Sequence, residues 1–263
     1  MTHVHIALWG VLPYLVLAVL VGGTAWRYRY DRFGFTTRSS QLHESRLLRI
    51  GGPLFHYALF LVIGGHVMGL LVPESLTERL HVSERMYHFS APAVGGAAGV
   101  AAVVGLGILL HRRLRVPAVR AATSRSDRLV YPLLTAALLA GLVATASSVT
   151  NPYDYRLGVS IWFRSLFALD PDVTAMAQAP FTYQLHALLG MALFALWPFS
   201  RLVHAFTAPF GYVIRPYVVY RSRRGADGRG PHRPGIPAQA PQVGHPARKA
   251  APTPGRTARR TPG

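Results

Sequence analysis

The 263-residue sequence contains no cysteine. That excludes disulfides, cysteine-ligated iron–sulfur clusters and a haem attached through a C-x-x-C-H motif within this chain. Lysine is nearly absent as well: Lys249 is the only one, and the other basic residues are arginines. Acid is scarce, with 10 Asp and Glu against 28 Lys and Arg, and charged residues make up 14% of the chain. A soluble domain usually carries roughly 25%. Together with 51% hydrophobic residues, so little charge points to a polytopic membrane protein. The net charge of +18 does not indicate a nucleic-acid binder. The arginines lie in loops between apolar runs and in the tail, and they form no stripe on a folded domain. No basic n-region precedes the first apolar run and no A-x-A site follows it, so it is not read as a cleaved signal.

Five apolar runs predict an all-α fold with five transmembrane helices: Val4–Trp26, Ile50–Val72, Tyr87–Leu110, Leu129–Val149 and Phe181–Ala208. Each reaches the ~20 residues that span a bilayer core. The first loop carries Arg27, Arg29, Arg32, Arg38, Arg46 and Arg49, and the third carries Arg112, Arg113, Arg115, Arg120, Arg125 and Arg128. The second and fourth loops are nearly neutral, so the positive-inside rule puts the N-terminus outside and the C-terminus in the cytoplasm. Within the fourth loop, Leu157–Leu169 is too short to span and contains Arg164; it reads as an interfacial helix on the outer surface. Residues 1–224 form the predicted membrane domain. Residues 225–263, dominated by Pro, Gly, Ala and Arg, repeat no apolar face and read as a disordered cytoplasmic tail beside the lipid surface.

The predicted spans contain no Asp or Glu, but the second and fifth together carry four histidines. His56 and His66 lie in the second span, His186 and His204 in the fifth. A polar ring in lipid must find a partner. Helical rise puts the first two about 15 Å apart and the second two about 27 Å apart, with Pro198 positioned to kink the fifth span. The two spans run in opposite directions. His56 and His204 therefore share the inner half of the membrane, and His66 and His186 the outer half. Tilt, the kink and ligand reach must absorb the unequal separations.

Neutral imidazole is a good haem-iron ligand, and two of them fill both axial positions. The expectation is thus two haem b groups between the second and fifth helices, carrying single electrons. The inner iron would be held by His56 and His204, the outer by His66 and His186. Gly64 and Gly65, with the small residues Gly95, Gly96, Ala97, Ala98 and Gly99 of the third span, would leave room for a flat macrocycle. Arg201, one turn before His204, is expected to pair with a haem propionate. Each feature also has an ordinary reading: a packing histidine, a helix-contact Gly95-x-x-x-Gly99, a snorkelling arginine. His3, His5, His88 and His111 have no such pairing and read as interface or loop residues. Zinc or iron catalysis and ion-coupled transport would call for carboxylates in the spans.

Three segments carry a family resemblance: FHYALFLVIGGHVMGLL around His56 and His66, LHALLGMALFALWPFSRLVH around His186 and His204, and the loop HRRLRVPAVRAATSRSD. They resemble the gamma subunit of respiratory nitrate reductase, a five-span membrane cytochrome b, over about Pro13 to Arg224. The match is poorer in the outer loops and leaves out the tail. The resemblance implies two b haems with the pairing above. It also implies quinol oxidation near the outer haem, and electron delivery to an iron–sulfur beta subunit and a molybdenum-containing alpha subunit on the cytoplasmic side of the inner membrane during anaerobic nitrate respiration. The family's quinol pocket, for menaquinol or ubiquinol, implies roles for Gly65, His66 and a basic residue of the second loop. Here SERMYHFS departs from the family pattern, and Arg85 is the expected basic residue, with His88 as the alternative. Two other readings compete: a cytochrome b anchor of a hydrogenase or formate dehydrogenase, and a haem-free transporter.

Overall fold

The computed structural model describes residues 2–31, 44–79, 81, 84–150 and 153–207, without the side chains of Glu84, Arg85, His88 and Thr207. The elements run α1 (His3–Tyr30), α2 (Arg46–Leu71), α3 (Glu74–Arg79), α4 (Glu84–Arg115), α5 (Pro117–Ala121), α6 (Arg125–Thr150), α7 (Val159–Phe167), α8 (Val173–Ala177) and α9 (Phe181–Leu196). Four of them (α1, α2, α4 and α6) are long and apolar enough to cross a membrane. The last turn of α2, Val67–Leu71, is π-helical. The predicted tail lies outside the described residues.

The predicted fifth span is built differently from the other four. Its regular part, α9, is only 16 residues long. Short 3₁₀ segments follow, Trp197–Phe199 and Arg201–Thr207, with an extended Ser200 (φ −125°, ψ 179°) between them. Proline in a helix interior removes a donor and clashes with the carbonyl four residues back, so Pro198 accounts for the stop. Ser200 then restarts the chain: its Oγ accepts from Leu202 N at 3.2 Å, as an N-cap does. The expectation of a helix kinked at Pro198 and running to Ala208 is corrected to a helix, a break and a second short turn.

Burial is inverted relative to a soluble bundle. Asp127, Ser200, Arg112 and Arg156 are buried, while Leu15, Val21, Phe60, Val94, Val104 and Val143 are exposed. An apolar surface of this extent suits lipid rather than water, and the chain is a membrane protein. Helices α2 and α4 pack closely because Gly105 lacks a side chain; a Cβ there would stand 2.6 Å from Phe55 N. Gly51 meets Ile108 and Gly99 meets Leu142 in the same way. The glycines of α4 that were expected to accommodate a macrocycle divide accordingly. Gly99 serves helix contact, as does Gly105, which was not among them, whereas a Cβ at Gly95 would meet nothing within 4 Å.

The two ends of the bundle differ. One end is arginine-rich, with Arg112 donating to Glu44 Oε2 at 2.6 Å and Arg113 3.8 Å from Asp127. The other is capped by α7 and α8. Trp162 of α7 donates its Nε1–H to Trp9 O at 2.8 Å and meets the Trp9 ring edge-on at 5.8 Å. With Val159 also buried, the predicted interfacial helix Leu157–Leu169 is shorter than expected and packs firmly on α1.

Candidate functional site

The two histidines of α2 and the two of the fifth segment meet as two pairs. His66 and His186 have ring centroids 5.8 Å apart, and their Nε2 atoms are separated by 3.5 Å. His56 and His204 have ring centroids 6.1 Å apart. The 15 Å and 27 Å sequence separations reconcile because the chain is redirected at Ser200, so the second pair of histidines does not lie along one helix axis.

In all four rings Nδ1 is committed to a backbone carbonyl. His56 donates to Gly52 O at 2.8 Å, His66 to Val62 O at 2.7 Å, His186 to Ala137 O at 3.1 Å and His204 to Arg201 O at 2.6 Å. A carbonyl can only accept, so Nδ1 must carry the hydrogen, and a neutral ring then has its lone pair on Nε2. This is the second-shell arrangement that fixes the tautomer of a metal-binding histidine. At the His66–His186 pair, two Nε2 lone pairs face each other. Such an arrangement is repulsive in itself, and a cation between the nitrogens makes it attractive.

The residues fit a bis-imidazole iron. Metal–imidazole bonds of roughly 2 Å would put coaxial nitrogens ~4 Å apart, so the His66–His186 pair needs to open by about half an ångström. Among the described residues, no three or more His, Cys, Asp or Glu side chains group as metal ligands. A bare zinc ion would want about four ligands. A pair of histidines instead suits a metal whose equatorial ligands come with it, as in a haem.

The surroundings of the pairs differ. His186 bonds across to α6, where Gly141 lets the ring lie against the helix; a Cβ at Gly141 would stand 2.9 Å from His186 Cε1. Beside His66, a Cβ at Gly64 or Gly65 would meet no atom within 4 Å. Arg201 was expected to reach a propionate. In this structure Asp127 holds it, with Nε to Oδ1 at 2.5 Å and Nη2 to Oδ2 at 2.6 Å. Asp127 is fully buried in the first turn of α6, just ahead of the span predicted from Leu129, where sequence reading had assigned it no role. The side chains of Arg85 and His88, expected to serve the quinol pocket, lie outside the described residues.

Near the His66–His186 pair the structure reveals polar groups to which the sequence had assigned no role. Arg156, buried, lies 4.1 Å over the Tyr87 ring and donates to Thr77 Oγ1 at 2.9 Å. Tyr87 and Tyr155 share a hydroxyl hydrogen bond of 2.9 Å, and Tyr155 packs on Gly69, one turn beyond His66. Burial, followed by that Tyr87 bond, pushes the Tyr155 phenol well above its ordinary range. Arg164 reaches Leu70 O at 3.2 Å. An arginine in a loop gives no sequence signal that it will be buried.

Comparison with known proteins adds the family context. A family model described as "Nitrate reductase gamma subunit" matches residues 5–223. A nitrate reductase gamma chain of Bacillus subtilis (strain 168) is 45% identical over 82% of this chain and 97% of its own length. The respiratory nitrate reductase 1 gamma chain of Escherichia coli (strain K12) is 31% identical over 85% of this chain and 100% of its own. The nitrate reductase-like protein NarX of Mycobacterium tuberculosis (strain ATCC 25618 / H37Rv) is 51% identical over 82% of this chain. The match spans about a third (33%) of that longer relative.

Proposed function

This chain belongs to the nitrate reductase gamma subunit family, and from that premise we propose that it is the dihaem cytochrome b subunit of a quinol-oxidising nitrate reductase. One observation carries the reading: four membrane histidines form two facing pairs, each with Nδ1 tied to a carbonyl. His56 and His204 would hold one b haem, and His66 and His186 the other. When bound by two imidazoles, a haem supplies one-electron transfer with no open position for oxygen.

The chain's own residues supply orientation. The carbonyls of Gly52, Val62, Ala137 and Arg201 keep each imidazole in the Nδ1–H tautomer and limit its rotation. The arginine-rich end is the cytoplasmic one by the positive-inside rule, which makes His56 and His204 the inner pair and leaves the N-terminus outside. Quinol oxidation belongs at the outer pair, next to Gly65 and His66. Arg85 remains the basic residue proposed from the sequence. The burial of Arg156 beside Tyr87 and Tyr155 supports a second basic group on that side. The partners of this reading are an iron–sulfur subunit and a molybdenum subunit on the cytoplasmic face, with menaquinol or ubiquinol as electron donor, in a bacterial inner membrane.

The test is purification of the complex from membranes, followed by haem extraction, molybdenum analysis and reduction by a quinol analogue. Two b haems per chain that reduce with quinol are expected. A preparation that assembles with partner subunits yet carries no haem would overturn the proposal. Recovery of the chain with a hydrogenase or formate dehydrogenase, and no molybdenum nitrate reductase, would reassign the complex.

A further inference from the structure

α1 contributes no histidine to either pair, yet it makes a specific contact with the segment that carries His204. Arg27 Nη1 donates to Pro198 O at 2.7 Å and to Ser200 O at 2.9 Å. These carbonyls lie at the break, where regular helical hydrogen bonding stops. Four residues earlier, on the same face of the helix, Gly23 receives the Pro198 ring. A Cβ at Gly23 would stand 2.9 Å from Pro198 Cβ and 3.3 Å from Phe199 Cζ. From α6, Asp127 holds Arg201, whose carbonyl in turn accepts from His204 Nδ1.

Residues 197–207 are 3₁₀ segments around an extended residue, so the helical ladder of α9 does not carry through to fix the direction of His204. Resting on the proposed dihaem reading, we infer that Gly23 and Arg27 are positioning residues for the inner iron ligand. Gly23 sets how closely the break approaches α1, and Arg27 fixes its carbonyls; together they set the angle and distance at which His204 faces His56. The first span is thereby part of the inner site without touching iron. The outer pair does not depend on this break, because His186 stands on regular α9.

Adjacent glycines allow a matched test in the full complex in native membranes. A Cβ at Gly22 would meet nothing within 4 Å, unlike one at Gly23. Four variants are compared with the parent: Gly22→Ala, Gly23→Ala, Arg27→Gln and Arg27→Lys. The readouts are the low-spin ferric EPR signals, which report the relative angle of the axial imidazoles, and the midpoint potentials of the two haems. Gly23→Ala and Arg27→Gln should move the inner signal and weaken inner-haem retention by the ~10–100-fold typical of a lost second-shell partner. The outer signal should stay in place, Gly22→Ala should match the parent, and Arg27→Lys should restore part of the inner signal.

If Gly23→Ala and Arg27→Gln leave both signals unmoved, or shift both equally, the inference is overturned. An equal shift would mean that α1 supports the fold as a whole. A parent protein without haem would instead overturn the dihaem reading itself, so the two failures are distinguishable.

Discussion

The two histidine pairs use the same residue type and the same Nδ1-to-carbonyl bond, but they are supported in different ways. At the outer pair, His66 sits on α2 and His186 on α9, both regular helix, and the supporting carbonyl for His186 comes from a neighbouring helix, α6. At the inner pair, His204 lies beyond a break. Its carbonyl is local, from Arg201, and the turn is held by Asp127 and Arg27. Rigidity at the outer pair comes from helix geometry and close packing at Gly141. At the inner pair it comes from charged groups that clip an irregular turn. Packing tolerates little change of volume, whereas charged clips depend on each partner being present.

The largest expected effects separate the pairs outright. His186→Ala should remove the outer haem and His204→Ala the inner, each leaving about half of the haem, because an iron that loses one of two axial ligands is poorly retained. His66→Ala should copy His186→Ala, and His56→Ala should copy His204→Ala. Reduced-minus-oxidised spectra of membranes check this, and loss of the same haem in all four variants would end the two-site description.

Next in size is Asp127→Asn. Asp127 is fully buried and Arg201 partly so, and breaking such a pair costs about 3–5 kcal/mol because a cation is left without its counter-charge. The effect should fall on the inner pair, seen as lost inner haem and lower thermal stability. Gly141→Ala is its counterpart at the outer pair: a methyl group 2.9 Å from His186 Cε1 forces a shift costing ~1–3 kcal/mol, and the outer haem signal should move alone. Gly64→Ala, whose methyl meets no protein atom within 4 Å, should leave thermal stability near that of the parent. If it too displaces the outer haem, the macrocycle itself occupies that space.

Much of this was legible in the sequence. Apolar runs bounded by arginines delimited the four long helices to within a few residues, because lipid imposes length and hydropathy directly. The pairing of His56 with His204 and of His66 with His186 followed from antiparallel spans alone. What could not be read depended on contacts between distant residues. Pro198 announced a kink but not the restart at Ser200, which needs its side-chain cap. Arg201 carried the right charge for a propionate, but its bond to a buried Asp127 from another helix had no signal in the sequence. Gly105 and Gly141 looked like other small residues, since only a neighbouring backbone or ring distinguishes a glycine required for approach from one that is merely tolerated. The sequence spacing of histidines says nothing of which carbonyl each Nδ1 will find.

The smallest effect concerns acid, and it sharpens the contrast at the arginine-rich end. Glu44 accepts from Leu47 N at 2.8 Å, at the start of α2, and from Arg112 Nε of α4 at 2.6 Å. The Leu47 amide first, and Arg112 after it, hold this carboxyl below its ordinary value of 4.5. A carboxyl whose folded pKa is depressed contributes stability that is fully present above the unfolded value and is lost as pH falls through the folded one. Stability should therefore be flat above roughly pH 5 and decline below it. Because Glu44 ties α2 to α4 at the end nearest His56, acidification should disturb the inner haem signal before the outer. The Glu44→Gln variant should show a smaller acid-dependent change, since its side chain has no proton to gain. A pH titration of the two haem signals in parent and variant membranes checks this, and identical acid profiles would remove Glu44 from the account of the inner end.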